Sequence, residues 1–258
     1  MRMLVVCPHP DDAEFTCAGT LLEALRIGWD VHELLMTSDE YGTKRAEFKG
    51  KRIKRIRMAE MVAAAKEYGT NVDGSPRITL HWFGEIDGYL PFDKNVLGRL
   101  SSCIKALHPR VVLAPDSFFT MDYHPDHVRT GWLVYLAVKA MPRVERPLLL
   151  LYHSTATDFF IPIKSLDIQT RAWSRHRSQS TPLNNKILGK LRVLFYLWRR
   201  RKVGGILAEG FRRARFTIED NTVKGLRPKS WHYLFYRANK GFPRAYYLPS
   251  PEELGLKR

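Results

Sequence analysis

Residues 3–14 have the sequence MLVVCPHPDDAE, in which five apolar residues are followed directly by prolines, a histidine and paired carboxylates. The apolar run with its two valines is typical of a buried strand, and the polar residues then lie at its carboxyl end. In open parallel sheets, ligands bind at the carboxyl ends of the strands. The stretch therefore predicts both the first strand of an α/β sheet and one half of a functional site.

Strand and helix patterns alternate as far as residue 153. Apolar runs predict four further strands, at residues 31–37, 78–83, 110–114 and 148–153. Amphipathic periodicity predicts helices between them, at residues 15–27, 53–68, 94–107 and 127–140. Strands separated by helices imply βαβ units with right-handed crossovers. We expect an α/β fold: an open, Rossmann-like, mostly parallel sheet with helices on both faces, in which the first and fourth strands are neighbours.

A second polar segment, DYHPDH at residues 122–127, follows the predicted fourth strand. If the first and fourth strands are adjacent, the two segments meet at one point. Two imidazoles and one carboxylate are a known catalytic zinc set that leaves one position open, although the same set also suits iron(II). His9, Asp12 and His127 have the spacing to form that set.

The other polar residues of these segments have candidate roles in catalysis. Asp11 could accept a proton as general base, and His124 could stabilise an oxyanion and then protonate a leaving amine. Asp126 could hold the imidazole of His124 in orientation. Taken singly, Asp11 or Asp12 would most often be a helix N-cap, and either histidine would most often be a surface residue. The combination is much more specific than its members.

These motifs resemble those of the LmbE-like, or PIG-L, de-N-acetylase superfamily. The resemblance rests on PHPDDAE after the first strand and HPDH after the fourth, and it covers about residues 3–215. Weaker similarities continue it at Arg57–Glu60 (RMAE), residues 171–179 (RAWSRHRSQ) and Glu209–Phe211 (EGF). The resemblance implies a zinc-dependent hydrolase that removes acetyl groups from N-acetylglucosamine-type sugars.

Carried over by position, the resemblance favours zinc as the cofactor. It implies that His9, Asp12 and His127 bind Zn²⁺, that Asp11 is the general base, and that His124 is the acid or oxyanion stabiliser.

Three further residues have two readings each. Arg57 matches a position that contacts the substrate in some members, but it would equally form an ion pair with Glu60 one helical turn away. His176 and Ser178 could line the pocket, although a structural role is the commoner one for such residues.

The charge is distributed unevenly along the chain. The net charge is +16; residues 1–170 contain 21 basic and 21 acidic residues, whereas residues 171–258 contain 21 and 5. An excess of this kind favours an anionic partner, or it is a solvated basic surface. Residues 186–202 combine an apolar helical stripe with terminal cations, which suits either an interfacial helix on an anionic membrane or a helix packed on the sheet.

We expect a deacetylase domain over residues 1–215 and a basic, aromatic extension over residues 216–258 packed on the same domain. Aromatic residues at 231, 233 and 235 alternate as in a strand, and no base-reading motif accompanies them, so nucleic acid is not an expected partner. We expect a cytoplasmic protein, because the three cysteines are scattered, the apolar N-terminal stretch is short and no apolar run reaches 18 residues. If residues 186–202 bind lipid, the protein would also contact the inner membrane face peripherally.

The predicted function is zinc-dependent removal of the N-acetyl group from a GlcNAc-containing glycoconjugate. Lipid-linked and anionic glycoconjugates are among the candidate substrates. One alternative is a non-catalytic protein that binds anionic membrane or nucleic acid through its basic last third. Another is an iron(II) oxidation at the same ligands. The complete set of five candidate catalytic and ligand residues argues against a degenerate hydrolase domain.

Overall fold

The structure, a computed structural model, describes residues 1–120, 124–179 and 207–216. Its strands are β1 (Arg2–Cys7), β2 (Asp30–Thr37), β3 (Thr79–Glu85), β4 (Val111–Pro115), β5 (Leu148–Tyr152), β6 (Phe159–Pro162) and β7 (Ala208–Arg213). Its α-helices are α1 (Asp12–Thr16), α2 (Ala18–Arg26), α3 (Lys51–Lys66), α4 (Lys94–Leu107), α5 (Pro125–Lys139) and α6 (Asp167–Trp173). Two short 3₁₀ helices lie at Ala46–Phe48 and Arg143–Glu145.

The seven strands form one sheet in the order β3-β2-β1-β4-β5-β7-β6. Strands β1 to β5 are parallel, β7 is antiparallel to β5, and β6 is antiparallel to β7. β1 pairs with β4, so that Met3 lies opposite Val111 and Val5 opposite Leu113. The expected open, mostly parallel α/β sheet is confirmed, and so is the adjacency of the first and fourth strands.

Alternate residues of β1 enter two separate hydrophobic cores, one on each face of the sheet. Val5 packs with residues of α2, α3 and α6, whereas Leu4 packs with residues of α4 and α5. A strand that is buried on both faces appears in the sequence as a continuous apolar run, as residues 3–7 do. The two layers of helices leave the carboxyl ends of the parallel strands, and the loops that follow them, as the place for a site.

The prediction of a single helix at residues 15–27 was wrong, because the structure has two helices there, α1 and α2. Cys17 has the non-helical angles φ −140° and ψ 19°, and a new helix begins after it. Glu209 of β7 stabilises that second beginning by accepting hydrogen bonds from the backbone N–H of Gly19 at 3.0 Å and Thr20 at 2.8 Å. The partner lies 190 residues away in the sequence, so local periodicity could not show the break.

The predicted interfacial helix at residues 186–202 and the predicted aromatic strand at residues 231–235 lie outside the described residues. Most of the predicted extension lies there too, and the proposed division at residue 215 stays a prediction. Within the described part of the chain, no helix combines the length and apolar character needed to cross a membrane.

Candidate active site

Adjacent strands β1 and β4 bring the two polar segments together. His9 lies in the loop between β1 and α1, and His127 lies in the first turn of α5. Both imidazoles are buried, and His9 Nδ1 lies 3.1 Å from His127 Nε2. Two ring nitrogens at this distance are close enough to bind the same metal ion.

Asp12, the first residue of α1, adds a carboxylate to the same point. Its Oδ2 accepts a hydrogen bond from the backbone N–H of His9 at 2.8 Å, which fixes the side chain toward the histidines. Asp12 Oδ1 lies 3.4 Å from His127 Nε2, and Oδ2 lies 3.8 Å from His9 Nδ1. A tetrahedral zinc ion with bonds of about 2.1 Å would separate its ligand atoms by roughly 3.4 Å. The two Asp12 distances involve different oxygens, so the three side chains could hold a zinc ion once one Asp12 oxygen turns toward both nitrogens.

The second nitrogen of His9 contacts two carboxylates. His9 Nε2 lies 3.0 Å from Asp87 Oδ1 and 3.3 Å from Asp126 Oδ2. Although burial alone would raise it, the hydrogen bond from His9 lowers the pKa of Asp87 to about 2. An ionised Asp87 accepts the Nε2 proton of His9, and this leaves Nδ1 free to face His127 and Asp12. Residues that orient a metal ligand in this way commonly surround zinc sites.

The charge around His9 also favours a cation. Burial alone would lower the pKa of His9, but its hydrogen bonds with Asp126 and Asp87 and the charge of Asp12 raise it well above the usual value. Burial raises the pKa of Asp12 despite the opposing charges of the two histidines. Three buried carboxylates, Asp12, Asp87 and Asp126, thus surround His9, and a divalent ion would offset negative charge there.

Two other groupings within the described residues could also hold a metal ion. The donor atoms of His9, His124 and His127 lie within 4.8 Å of one another, and so do those of His9, Asp39 and Asp87. The first grouping would take His124 as a ligand in place of Asp12. The second consists of His9 and the two carboxylates that follow β2 and β3. It shares only His9 with the set of His9, Asp12 and His127.

His124 is the N-cap of α5. Its Nδ1 accepts a hydrogen bond from the backbone N–H of Asp126 at 3.3 Å, and its ring lies 4.7 Å from the His9 ring. The carboxylate of Asp126 is held by the backbone N–H of Gly88 at 2.6 Å and of Leu90 at 3.3 Å. Asp126 thus contacts His124 through its backbone, and its carboxylate links the loop after β3 to His9.

Asp11 has a strained backbone. Its φ of 115° lies in the left-handed region that non-glycine residues rarely adopt, and such residues concentrate at functional sites. It precedes α1 as the N-cap residue, but its side chain makes no capping hydrogen bond. The carboxylate instead accepts a hydrogen bond from Arg57 Nη2 at 2.8 Å. The ordinary role of an N-cap aspartate therefore does not explain this residue.

Arg57 of α3 is fully buried, and its guanidinium contacts the loops that carry the site residues. Besides Asp11, it pairs with Asp39 at 2.5 Å and donates to the backbone carbonyl of Pro10. The ion pair with Glu60 is also present, at 3.6 Å. Burial raises the pKa of Asp39 to about 6, against the opposing charge of Arg57. The guanidinium thus connects the β1–α1 loop to the loop after β2 and leaves no exposed surface for a substrate.

The segment after α6 supports Arg57 from its other side. His176 is fully buried, with Nδ1 3.4 Å from Arg57 Nη1 and Nε2 3.5 Å from a carboxylate oxygen of Glu14. Ser178 donates to Glu60 through both its backbone N–H and its hydroxyl, at 2.7 and 2.6 Å. The structural reading of both residues agrees with these contacts.

Asp39 and Asp87 were not predicted from the sequence as residues of the site. Both follow parallel strands, Asp39 two residues after β2 and Asp87 two residues after β3. A carboxylate two residues beyond the end of both β2 and β3 was the available signal, since the carboxyl ends of parallel strands share one edge of the sheet.

The chain is similar to known deacetylases. Residues 4–138 match the family described as PIG-L: GlcNAc-PI de-N-acetylase. The chain is 28% identical over 193 residues to a diacetylchitobiose deacetylase of Thermococcus kodakarensis, which covers 69% of this chain and 70% of that protein. It is 28% identical over 156 residues to a probable N-acetyl-α-D-glucosaminyl L-malate deacetylase 2 of Bacillus anthracis, covering 57% of this chain and 63% of that protein.

A solved structure shows the same fold. The N,N′-diacetylchitobiose deacetylase from Pyrococcus horikoshii superposes with a TM-score of 0.73 at 25% identity, covering 83% of this chain and 84% of that one. The family match spans more than half of the chain and includes both polar segments. The expected amide hydrolase is thereby confirmed, and the chain belongs to the PIG-L (GlcNAc-PI de-N-acetylase) family of metal-dependent deacetylases.

Proposed function

We propose that the protein removes the N-acetyl group from a GlcNAc-containing glycoconjugate and uses Zn²⁺ to do so. The observation that carries the proposal is the convergence of His9 Nδ1, His127 Nε2 and the Asp12 carboxylate, at 3.1 to 3.8 Å from one another, beside the strained Asp11. The sugar substrates named for the relatives support the choice of substrate class.

Two imidazoles and one carboxylate would hold the zinc ion. This donor set leaves a fourth position open, as in other catalytic zinc sites. When bound, zinc supplies Lewis acidity, which makes water more acidic and polarises the acetyl carbonyl.

Asp11 accepts the proton of the attacking water. Arg57 holds Asp11 Oδ2 at 2.8 Å, so the carboxylate cannot rotate away from the site. The backbone at Asp11 is left-handed, and its side chain makes no capping hydrogen bond with the N-terminus of α1. A positioned proton acceptor of this kind contributes roughly 10²- to 10⁴-fold to the rate.

His124 delivers a proton to the departing nitrogen. Because its Nδ1 accepts the backbone N–H of Asp126, the ring proton resides on Nε2. The C–N bond of the amide breaks as the amine takes this proton, and acetate and a free amino sugar are released. Asp126 contacts this ring through its backbone N–H, and a role for its carboxylate in orienting His124 stays a prediction.

The test is acetate release from N-acetylated sugars and glycoconjugates by metal-stripped and zinc-reconstituted protein. Zinc should restore activity, and Asp11→Asn should keep the zinc but lose activity by roughly 10²- to 10⁴-fold. Asp73→Asn, in an exposed turn, is the matched control and should resemble the wild type. Loss of zinc in Asp11→Asn would make Asp11 a ligand, and an unchanged rate would remove it from the mechanism.

Two related proposals concern the division of the chain into domains and a segment that lies outside the described residues. Residues 1–215 form the deacetylase domain, and residues 186–202 bind an anionic membrane that carries a lipid-linked substrate. Sedimentation with anionic liposomes at low and high salt tests the second proposal, since cations near such a surface are screened by salt. Arg199, Arg200, Arg201 and Lys202 changed together to Gln should abolish the binding, and no binding at low salt would refute it.

A further inference from the structure

Two exposed tyrosines lie side by side near the candidate metal site. Tyr41 follows β2 and is 47% exposed, and Tyr89 follows β3 and is 68% exposed. Their ring centroids are 5.8 Å apart with an angle of 58° between the planes. Ile86, in the same turn as Tyr89, is 54% exposed. Single exposed apolar residues need no explanation, but grouped ones mark binding surfaces.

The backbone beneath these rings is tied to the residues around His9. The Tyr41 N–H donates to Asp87 Oδ2 at 3.1 Å, while Asp87 Oδ1 lies 3.0 Å from His9 Nε2. One carboxylate therefore separates the backbone of Tyr41 from a proposed metal ligand.

Tyr89 is tied to the site through the same turn. Its N–H donates to the carbonyl of Ile86 at 3.0 Å, and the adjacent Gly88 N–H donates to Asp126 Oδ2 at 2.6 Å. Leu90, the next residue, is fully buried in the core beneath. The two rings are thus exposed groups on two anchored loops, and each loop is linked through one carboxylate to His9.

This arrangement suits a sugar ring. A pyranose presents C–H groups on its faces and hydroxyls around its edge, so its faces stack on aromatic rings while the hydroxyls stay hydrated. Two phenol rings at an angle, open to solvent, offer such a face together with hydroxyl groups at the rim. Because both loops are linked to His9, a sugar stacked on the two rings would lie beside the sugar that carries the acetyl group.

We propose that Tyr41 and Tyr89 form a subsite for a second pyranose ring, so that the substrate is an oligosaccharide or a glycoconjugate whose neighbouring unit is a sugar. The proposal rests on the proposed function for the identity of the first sugar. It assigns the two rings to recognition of the substrate and gives them no part in the chemical step.

The test compares the binding of N-acetylglucosamine and N,N′-diacetylchitobiose by calorimetry, using full-length, zinc-loaded protein in the inactive Asp11→Asn background. The disaccharide should bind roughly 3- to 10-fold more tightly, the range expected of aromatic stacking. In Tyr41→Ala/Tyr89→Ala the two sugars should bind about equally. Tyr89→Phe should keep most of the preference, since it keeps the ring. Ile27→Ala, an exposed residue at the far end of α2, is the matched control.

Each outcome decides the proposal. Equal affinity for the two sugars before substitution, no binding of either sugar, or a preference that survives in the double variant overturns it. Acetate release by the wild type is measured separately on both sugars. If the tyrosine-dependent preference is present but no acetate appears, the subsite stands and the proposed function fails.

Discussion

Replacing Arg57 by methionine tests how the site is held together. The guanidinium is fully buried and faces Asp11 at 2.8 Å and Asp39 at 2.5 Å. Methionine replaces the aliphatic part of the side chain but not the guanidinium, so the positive charge and its hydrogen bonds are lost and the space of the guanidinium is left empty. Two largely buried carboxylates then lose their partner.

Breaking a buried ion pair from one side destabilises proteins by about 3–5 kcal/mol. For a chain of this size each kcal/mol lowers the Tm by about 2–4 °C, so the Tm should fall by roughly 6–20 °C. Neutralising Asp39 as well should recover part of the loss, because burial already raises the pKa of Asp39 to about 6. Arg99→Met is the matched control. Its ion pair with Glu85 is half exposed, and the stability should change by about 1 kcal/mol or less.

Steady-state kinetics on the folded variant separates the two sequence-based readings of Arg57. Because Arg57 has no exposed surface, its loss should lower kcat through a misplaced Asp11 and leave KM nearly unchanged. Differential scanning fluorimetry supplies the stability change and metal analysis confirms that zinc remains bound. A large rise in KM at normal kcat would refute this reasoning and restore Arg57 as a direct substrate contact.

Three further predictions concern residues around the metal. His124→Ala should keep its zinc, lower turnover and remove one limb of the pH–rate profile; a two-limbed profile with near-normal turnover would contradict its role. Since hydrogen bonds to carboxylates raise the pKa of His9 above about 6.5, a proton competes with the metal there. Zinc affinity, measured against a chelator, should therefore keep rising with pH above 6.5, and a flat dependence would contradict this. Asp87→Asn should weaken zinc binding by roughly 10- to 100-fold, as loss of a ligand-orienting partner does; unchanged affinity would show that Asp87 does not orient His9.

The parallel half of the sheet could be predicted because its signals are local. Continuous apolar runs mark strands that are buried on both faces, as at residues 3–7, and helical periodicity marks the crossovers. The adjacency of β1 and β4 follows from the usual order of such sheets, so the meeting of His9 with His127 was also predictable.

The antiparallel end of the sheet and the supports of the site depend on distant partners. Strands β6 and β7 and helix α6 were not predicted. Arg212 of β7 forms two hydrogen bonds with the buried Asp116 after β4, at 2.7 and 3.1 Å, which ties β7 to the parallel strands. Likewise, Asp87 contacts His9 only because the loop after β3 folds across the ends of two neighbouring strands. No local pattern in the sequence predicts the contact between Asp87 and His9.

The most direct test of the account is a crystal of zinc-loaded protein measured on both sides of the zinc absorption edge. The account predicts one strong anomalous peak, about 2.0–2.2 Å from His9 Nδ1, His127 Nε2 and a carboxylate oxygen of Asp12. A peak on the other side of the His9 ring, between Asp39 and Asp87, would contradict the ligand assignment and the roles that depend on it.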